Sequence, residues 1–413
     1  MSHNRVMQLG RRARSFAVVA ILFGLLVASI VPAYATSRGE GNGRGRNQPR
    51  GLNAQAMRDL SDAGVDKYLG DFTPIFSEEL ADGWVKHTFD PQGGDGPICI
   101  AGTPFTVFTR EQNPAKLMIF LQGGGACWQD FYFCNILADE VPPPLAGPQS
   151  GIWVDSFDTG SEVLPNPVGD WSVVYVPYCD GSVFTGDNDV ADPNFPFGPV
   201  RFHRGLRNIS AAMDLAHDTF SHPSRILVAG SSAGGVGAAS MAPFLARFLY
   251  GNNDHLFVFN DAGPVAINTN DVAAVQARAA DWNFGSLFPA SCTDCDDQGQ
   301  TTELIEWRLE NDSTVREAFY STDGDATDRF FLNVPTQEAY RELILSEHGA
   351  LHQAYPDRYN AFIRSGDDEH TALQRPSFYL AEANGVPLYE WTDDFLVPRP
   401  FWQEIVEDFV PLP

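Results

Sequence analysis

The chain has 413 residues, with 27 Lys and Arg against 53 Asp and Glu, a formal net charge of −26 at pH 7. So acidic a chain excludes nucleic acid and anionic lipid as partners, because both would be repelled. After the leader and the Gly/Arg-rich segment described next, about 360 residues remain, enough for one large domain with insertions or for two.

In chain order, a basic segment (Arg11, Arg12, Arg14), an apolar run over 16–31 and Ala33-Tyr34-Ala35 form the pattern of a secretory signal peptide, residues 1–35. The apolar run is short for a membrane span, and no later segment comes near that length without charges. The product is therefore expected to be secreted, with no membrane span. Residues 36–52 are rich in Gly and Arg and are expected to be flexible, leaving 53–413 as the catalytic domain.

All six cysteines follow the leader, and an even number in an exported chain favours disulfides. Sequence proximity pairs Cys127 with Cys134 and Cys292 with Cys295, and Cys99 with Cys179 is the remaining pair. Zinc at "CTDC" (292–295) would need two further soft ligands, whereas its neighbours Asp294, Asp296 and Asp297 are hard oxygen donors. Neither metal nor cofactor is expected.

Five apolar runs end in small or polar residues: 116–125, 171–181, 225–235, 255–263 and 359–370. Continuous apolar runs predict strands buried on both faces, as in a parallel sheet, with 209–220 and 236–250 as crossover helices. Chemistry in such sheets gathers at the carboxyl ends of the strands. Residues 264–320 show no obvious sheet strand and are read as an inserted cap.

The third run continues as Gly230-Ser231-Ser232-Ala233-Gly234, a G-x-S-x-G between strand and helix. That is the turn which exposes the nucleophile of an α/β-hydrolase, where chain order runs Ser, then Asp or Glu, then His. A serine hydroxyl needs a base, and the base an orienting acid. Of the later histidines, His255 begins a strand close to the nucleophile. His348 and His352 stand i, i+4 on a helix without the Glu of H-E-x-x-H, and are read as a solvated face. His370, in the loop after the fifth run, is the candidate base. Asp261, Asp323, Asp325 and Asp328 are candidate acids. The glycines of "FLQGGGAC" supply an oxyanion loop upstream, with Gly123, Gly124 and Ala233 as N–H donors.

With these residues in place, "CIAGTPFTVF" (99–108), "FLQGGGACW" (120–128), "YCDGSVFTGD" (178–187), "FHRGLRNI" (202–209), "GSSAGG" (230–235), "NDAG" (260–263) and "GDDEH" (366–370) resemble the pectin acetylesterase and Notum family of serine carboxylesterases. The resemblance implies an α/β-hydrolase fold, a mostly parallel sheet flanked by helices. It also implies Ser232 as nucleophile, His370 as base, and Gly123, Gly124 and Ala233 as the oxyanion set. The family's acid sits in a Tyr-Asp-x-x-Gln-like segment, which falls on 320–328; Asp325 fits best, Asp323 stays open, and Asp261 of "NDAG" is structural. This chain has Asp328 where Gln is common and Ala126 where plant members carry Trp.

The expected activity is hydrolysis of short to medium acyl esters, on a small-molecule or polymeric ester. Removal of acetyl groups from pectin-type polysaccharide, cleavage of an extracellular polyester, and a non-catalytic binding role are the alternatives. Trp128, Phe131, Tyr132, Phe133 and Phe184 are candidate acyl-pocket aromatics. Arg201, Arg204 and Arg207 would have to form a basic patch for an anionic polymer to bind.

Overall fold

The computed structural model describes residues 51–89, 94–251, 253, 255–397 and 402–412. The leader reading of 1–35, and residues 36–50 of the Gly/Arg-rich segment, lie outside them. The end of that segment is corrected: Leu52 is buried and bridges to Asp312, so the chain is already placed before residue 53.

Ten strands make one sheet: β1 (Phe76–Glu79), β2 (Trp84–Phe89), β3 (Phe105–Arg110), β4 (Asn113–Leu121), β5 (Trp171–Val176), β6 (Arg225–Ser231), β7 (Leu256–Asp261), β8 (Arg316–Thr322), β9 (Tyr359–Arg364) and β10 (Ile405–Val406). Their spatial order is β1-β2-β3-β5-β4-β6-β7-β8-β9-β10. The first three pair antiparallel, as does β3 with β5; every pair from β5 to β10 is parallel. This is the α/β-hydrolase architecture, and all five apolar runs became central strands. Both faces of those strands are covered: in β6, Ile226 and Val228 join the core on one face, Leu227 and Ala229 the core on the other. That two-sided burial is why the runs are continuous rather than alternating.

The expectation of no sheet strand within 264–320 is corrected, since β8 begins at Arg316. Its opening Arg316-Glu317 hides it from a search for apolar runs; Glu317 is buried only because Arg308 reaches it at 2.6 Å. Before β8, helices Val272–Trp282 and Thr302–Asn311 fill the segment.

From β4 the chain moves outward to β5, then returns to place β6 on the other side of β4. The sheet's order thus reverses between β4 and β6, and ligands of open α/β sheets bind in the crevice at such a switch point. The loop 122–125 and Ser232 both emerge there. All three expected disulfides form: Cys99–Cys179, Cys127–Cys134 and Cys292–Cys295. Among the described residues no helix is long and apolar enough to cross a membrane.

Candidate active site

Ser232 follows β6 directly and starts the helix Ala233–Ala239, with φ 56° and ψ −122°. A non-glycine residue there is strained, and the strain persists because the surroundings determine it. The cause is close packing: a Cβ on Gly234 would lie 2.0 Å from the carbonyl oxygen of Leu121, and one on Gly230 2.2 Å from that of Gly234. Only glycine lets helix and strands meet this tightly, so the turn at Ser232 must be sharp. Ser231 points the other way, its Oγ donating to Asp261 at 2.5 Å. Val183, Phe184, Ala262 and Thr371 also have φ between 50° and 64°, and Val183 lines the cavity at Ser232.

The glycine loop comes equally close. A Cβ on Gly123 would sit 2.7 Å from the Ser231 carbonyl oxygen and 3.0 Å from Ser232 Cβ. Among the described residues the N–H groups of Gly123, Gly124 and Ala233 donate to no protein acceptor, whereas that of Ser232 is used by Asp261 at 2.8 Å. Three free donors beside a serine suit a developing oxyanion.

On the other side of the crevice, His370 Nδ1 lies 2.7 Å from Asp325 Oδ2. The second oxygen of Asp325 caps the helix Ala326–Phe331, accepting from the N–H groups of Thr327 and Asp328 at 2.9 Å each. Asp325 is thereby fixed before it meets the imidazole. The His370 Nε2 atom is buried without a protein partner. Asp261 links the two halves: besides Ser231 it accepts from the N–H groups of Ala372 at 2.8 Å and Leu373 at 3.0 Å, just beyond His370.

Asp328 is a second carboxyl at the imidazole, 3.7 Å from Nδ1, with Tyr340 donating to its other oxygen at 2.8 Å. Burial first, and the charge of Asp325 second, hold its pKa well above the usual carboxylate range. The His370 pKa is raised to about 9: burial pulls it down, but the carboxylates of Asp328, Asp325 and Asp261 outweigh burial. Because Asp328 itself favours the protonated form, the upward direction rests mainly on Asp325. One donor atom each from Asp325, Asp328 and His370 lies within 4.8 Å of the others. Their 2.7 Å contact is a hydrogen-bond length, shorter than the separation of about 3.3 Å that two ligands of a tetrahedral ion keep.

The other candidates fall elsewhere. Asp323 is engaged by Gln337, Arg341 and Ser365 at 2.7, 2.7 and 2.6 Å. His255 precedes β7 at its amino end, a strand length of about 20 Å from the crevice. The reading of His348 and His352 as a solvated face is corrected: His348 is buried, stacks on Phe319 at 3.6 Å and hydrogen-bonds Tyr359. Its pKa falls to about 3 through burial, and His352 contacts Glu404 at 3.7 Å. The three arginines do not form the basic patch that an anionic polymer would need. Arg201 binds Asp192 and Asp281, Arg204 binds Asp189, and Arg207 binds Asp187, so their charges are spent inside the fold.

A cavity reaches from Ser232 and Ala233 to the segment before β8. Of the five candidate aromatics only Trp128 lines it. Phe131 stacks behind Trp128 at 4.0 Å, Tyr132 is bound to Asp192, Phe133 is exposed and Phe184 packs on Tyr178. The aromatic wall is instead Trp282, Phe284, Phe288 and Phe331, three of them in the segment read as a cap. Their distance in sequence from the serine and glycine motifs left no signal to find them.

Fold and crevice define an α/β-hydrolase with the parts of an ester hydrolase. The family model described as Pectinacetylesterase matches residues 85–287, and the chain is similar to that family, whose members are carboxylic ester hydrolases. The match includes Gly123, Gly124, Ser232 and Ala233 and stops short of Asp325 and His370. No curated protein matches the chain.

Two buried acids should be structural. Replacing Asp261 or Asp323 by Asn leaves neighbouring donors unpaired, and each variant is expected to lose about 1–3 kcal/mol of stability. Equilibrium unfolding in denaturant measures this; midpoints unchanged from wild type would contradict the assignment.

Proposed function

We propose that the protein is a secreted serine carboxylesterase that hydrolyses short to medium acyl esters through an acyl-enzyme. Ser232 Oγ attacks the acyl carbon while His370 Nε2 takes its proton. Asp325 holds the imidazole at Nδ1, and the N–H groups of Gly123, Gly124 and Ala233 stabilise the oxyanion. The alcohol then leaves with the proton from Nε2. Water repeats the sequence on the acyl-enzyme and releases the acid.

The observation that carries this reading is the 2.7 Å contact between Asp325 and His370 Nδ1, which leaves the buried Nε2 without a partner. Secretion is supported by the leader pattern and by three disulfides. The acyl range is supported by the largely apolar cavity at Ser232. Each buried CH₂ contributes about 0.8 kcal/mol, so butyrate should outrun acetate by roughly tenfold in kcat/KM. With Arg201, Arg204 and Arg207 neutralised internally, the acidic chain repels an anionic polysaccharide.

Kinetics on p-nitrophenyl acetate, butyrate and octanoate, set beside acetate release from pectin at two ionic strengths, test the substrate reading. Butyrate should be preferred and pectin poor at low salt. Rapid release from pectin at low salt with weak butyrate turnover would establish the polysaccharide reading instead. In the same assay Ser232→Ala and His370→Ala should lose about 10⁶ in kcat, and Asp325→Asn roughly 10⁴. A folded Ser232→Ala protein with most of its activity would overturn the assignment.

A pH profile follows from the raised His370. As a base it must be neutral, so activity falls as pH drops through its pKa, between the ordinary 6.5 and about 9. The acid limb of kcat/KM should therefore lie in that window; a limb below pH 6 would exclude His370 in this environment.

A further inference from the structure

Arg278 stands on the helix Val272–Trp282 and contributes to the wall of the cavity that Ser232 opens into. Its guanidinium lies 5.3 Å from the ring centroid of Trp128, and among the described residues it makes no ion pair and no hydrogen bond. Arg201, Arg204 and Arg207 differ, each holding an aspartate. Burial lowers the Arg278 pKa to about 10, with Asp271 opposing that shift, so the group is charged at neutral pH.

A half-buried charge gives up more hydration than one aromatic contact returns. A guanidinium held over a ring at that distance can still offer its N–H edge, a fork that matches a carboxylate in two parallel hydrogen bonds. Asp297 lines the same cavity and its carboxylate would repel a dianion, which favours a single negative charge. The long-range repulsion from the acidic surface is screened within a Debye length of about 10 Å, so it opposes a polyanion far more than a small monoanion.

We propose that Arg278 is a specificity-determining residue, and that the preferred esters carry one carboxylate which its guanidinium pairs with inside the cavity. This rests on the esterase reading of Ser232. The carboxylate can belong to the acyl chain or to the alcohol, and both place the same chemistry against Arg278.

The test compares kcat/KM for two matched pairs with wild type, Arg278→Met and Arg278→Lys. Mono-p-nitrophenyl adipate against p-nitrophenyl hexanoate puts the charge on the acyl side. 4-Carboxyphenyl hexanoate against 4-carbamoylphenyl hexanoate puts it on the alcohol. Arg278→Met should lower the carboxylate-to-neutral ratio by about tenfold or more in one pair, since a site built to bind a polar group rejects the analogue that mismatches it. That pair identifies the side. Arg278→Lys keeps the stem and charge without the fork, should lower the ratio less, and keeps the test readable if the Met variant does not fold. Equal ratios in all three proteins would overturn the proposal, and a uniform loss on all four esters would mean that Arg278 only braces Trp128. If wild type hydrolyses none of the four, the esterase reading fails and takes this proposal with it.

Discussion

The contact between Gly234 and the Leu121 carbonyl, where a Cβ would lie 2.0 Å from oxygen, fixes how β4, β6 and the following helix meet. No turn but a strained one joins strand to helix at that distance, so Ser232 is lifted to the left-handed side of φ. The same approach lays the 122–125 loop against Ser232, bringing three unused N–H groups to one place. The sheet's order makes this site possible, because it reverses between the two strands that carry the serine and the loop.

Asp261 transmits that geometry to the far side of the crevice. It accepts from Ser231 beside the candidate nucleophile and from two backbone N–H groups just past His370, so the two loops cannot drift independently. The four candidate aspartates are all buried, and their partners sort them by role. Asp323 has an arginine, Asp261 has a serine and two amides, and Asp328 has a tyrosine and favours its proton. Asp325 alone offers an oxygen at hydrogen-bond distance from His370. Like charges this close resist ionising together, which leaves Asp325 as the carboxylate best suited to orient the base.

The sequence was most legible where burial on both faces wrote itself as a continuous apolar run, and at the two glycine-rich loops. It was least legible where polar residues are buried with partners supplied from afar. Strand β8 opens on Arg316 and Glu317, and only Arg308 makes that burial affordable. His348 and His352 have the spacing of one helical face, yet His348 is inserted between Phe319 and Tyr359. Asp323 and Asp325 are two residues apart and equally buried, so nothing local separates them. β2, "WVKHTF", mixes Lys86 and His87 into an edge region and carries no uniform signal. The cavity wall was hidden for a similar reason, because Arg278, Trp282 and Phe284 approach Ser232 only through the fold.

The central claim is that Ser232 is the nucleophile activated by His370. Treating the protein with an alkyl fluorophosphonate, then locating the covalent adduct by intact mass and peptide mapping, tests it most directly. The account predicts one adduct per chain, on Ser232, formed far more slowly in His370→Ala. An adduct on another residue, or none on Ser232 in protein that still cleaves esters, would contradict it.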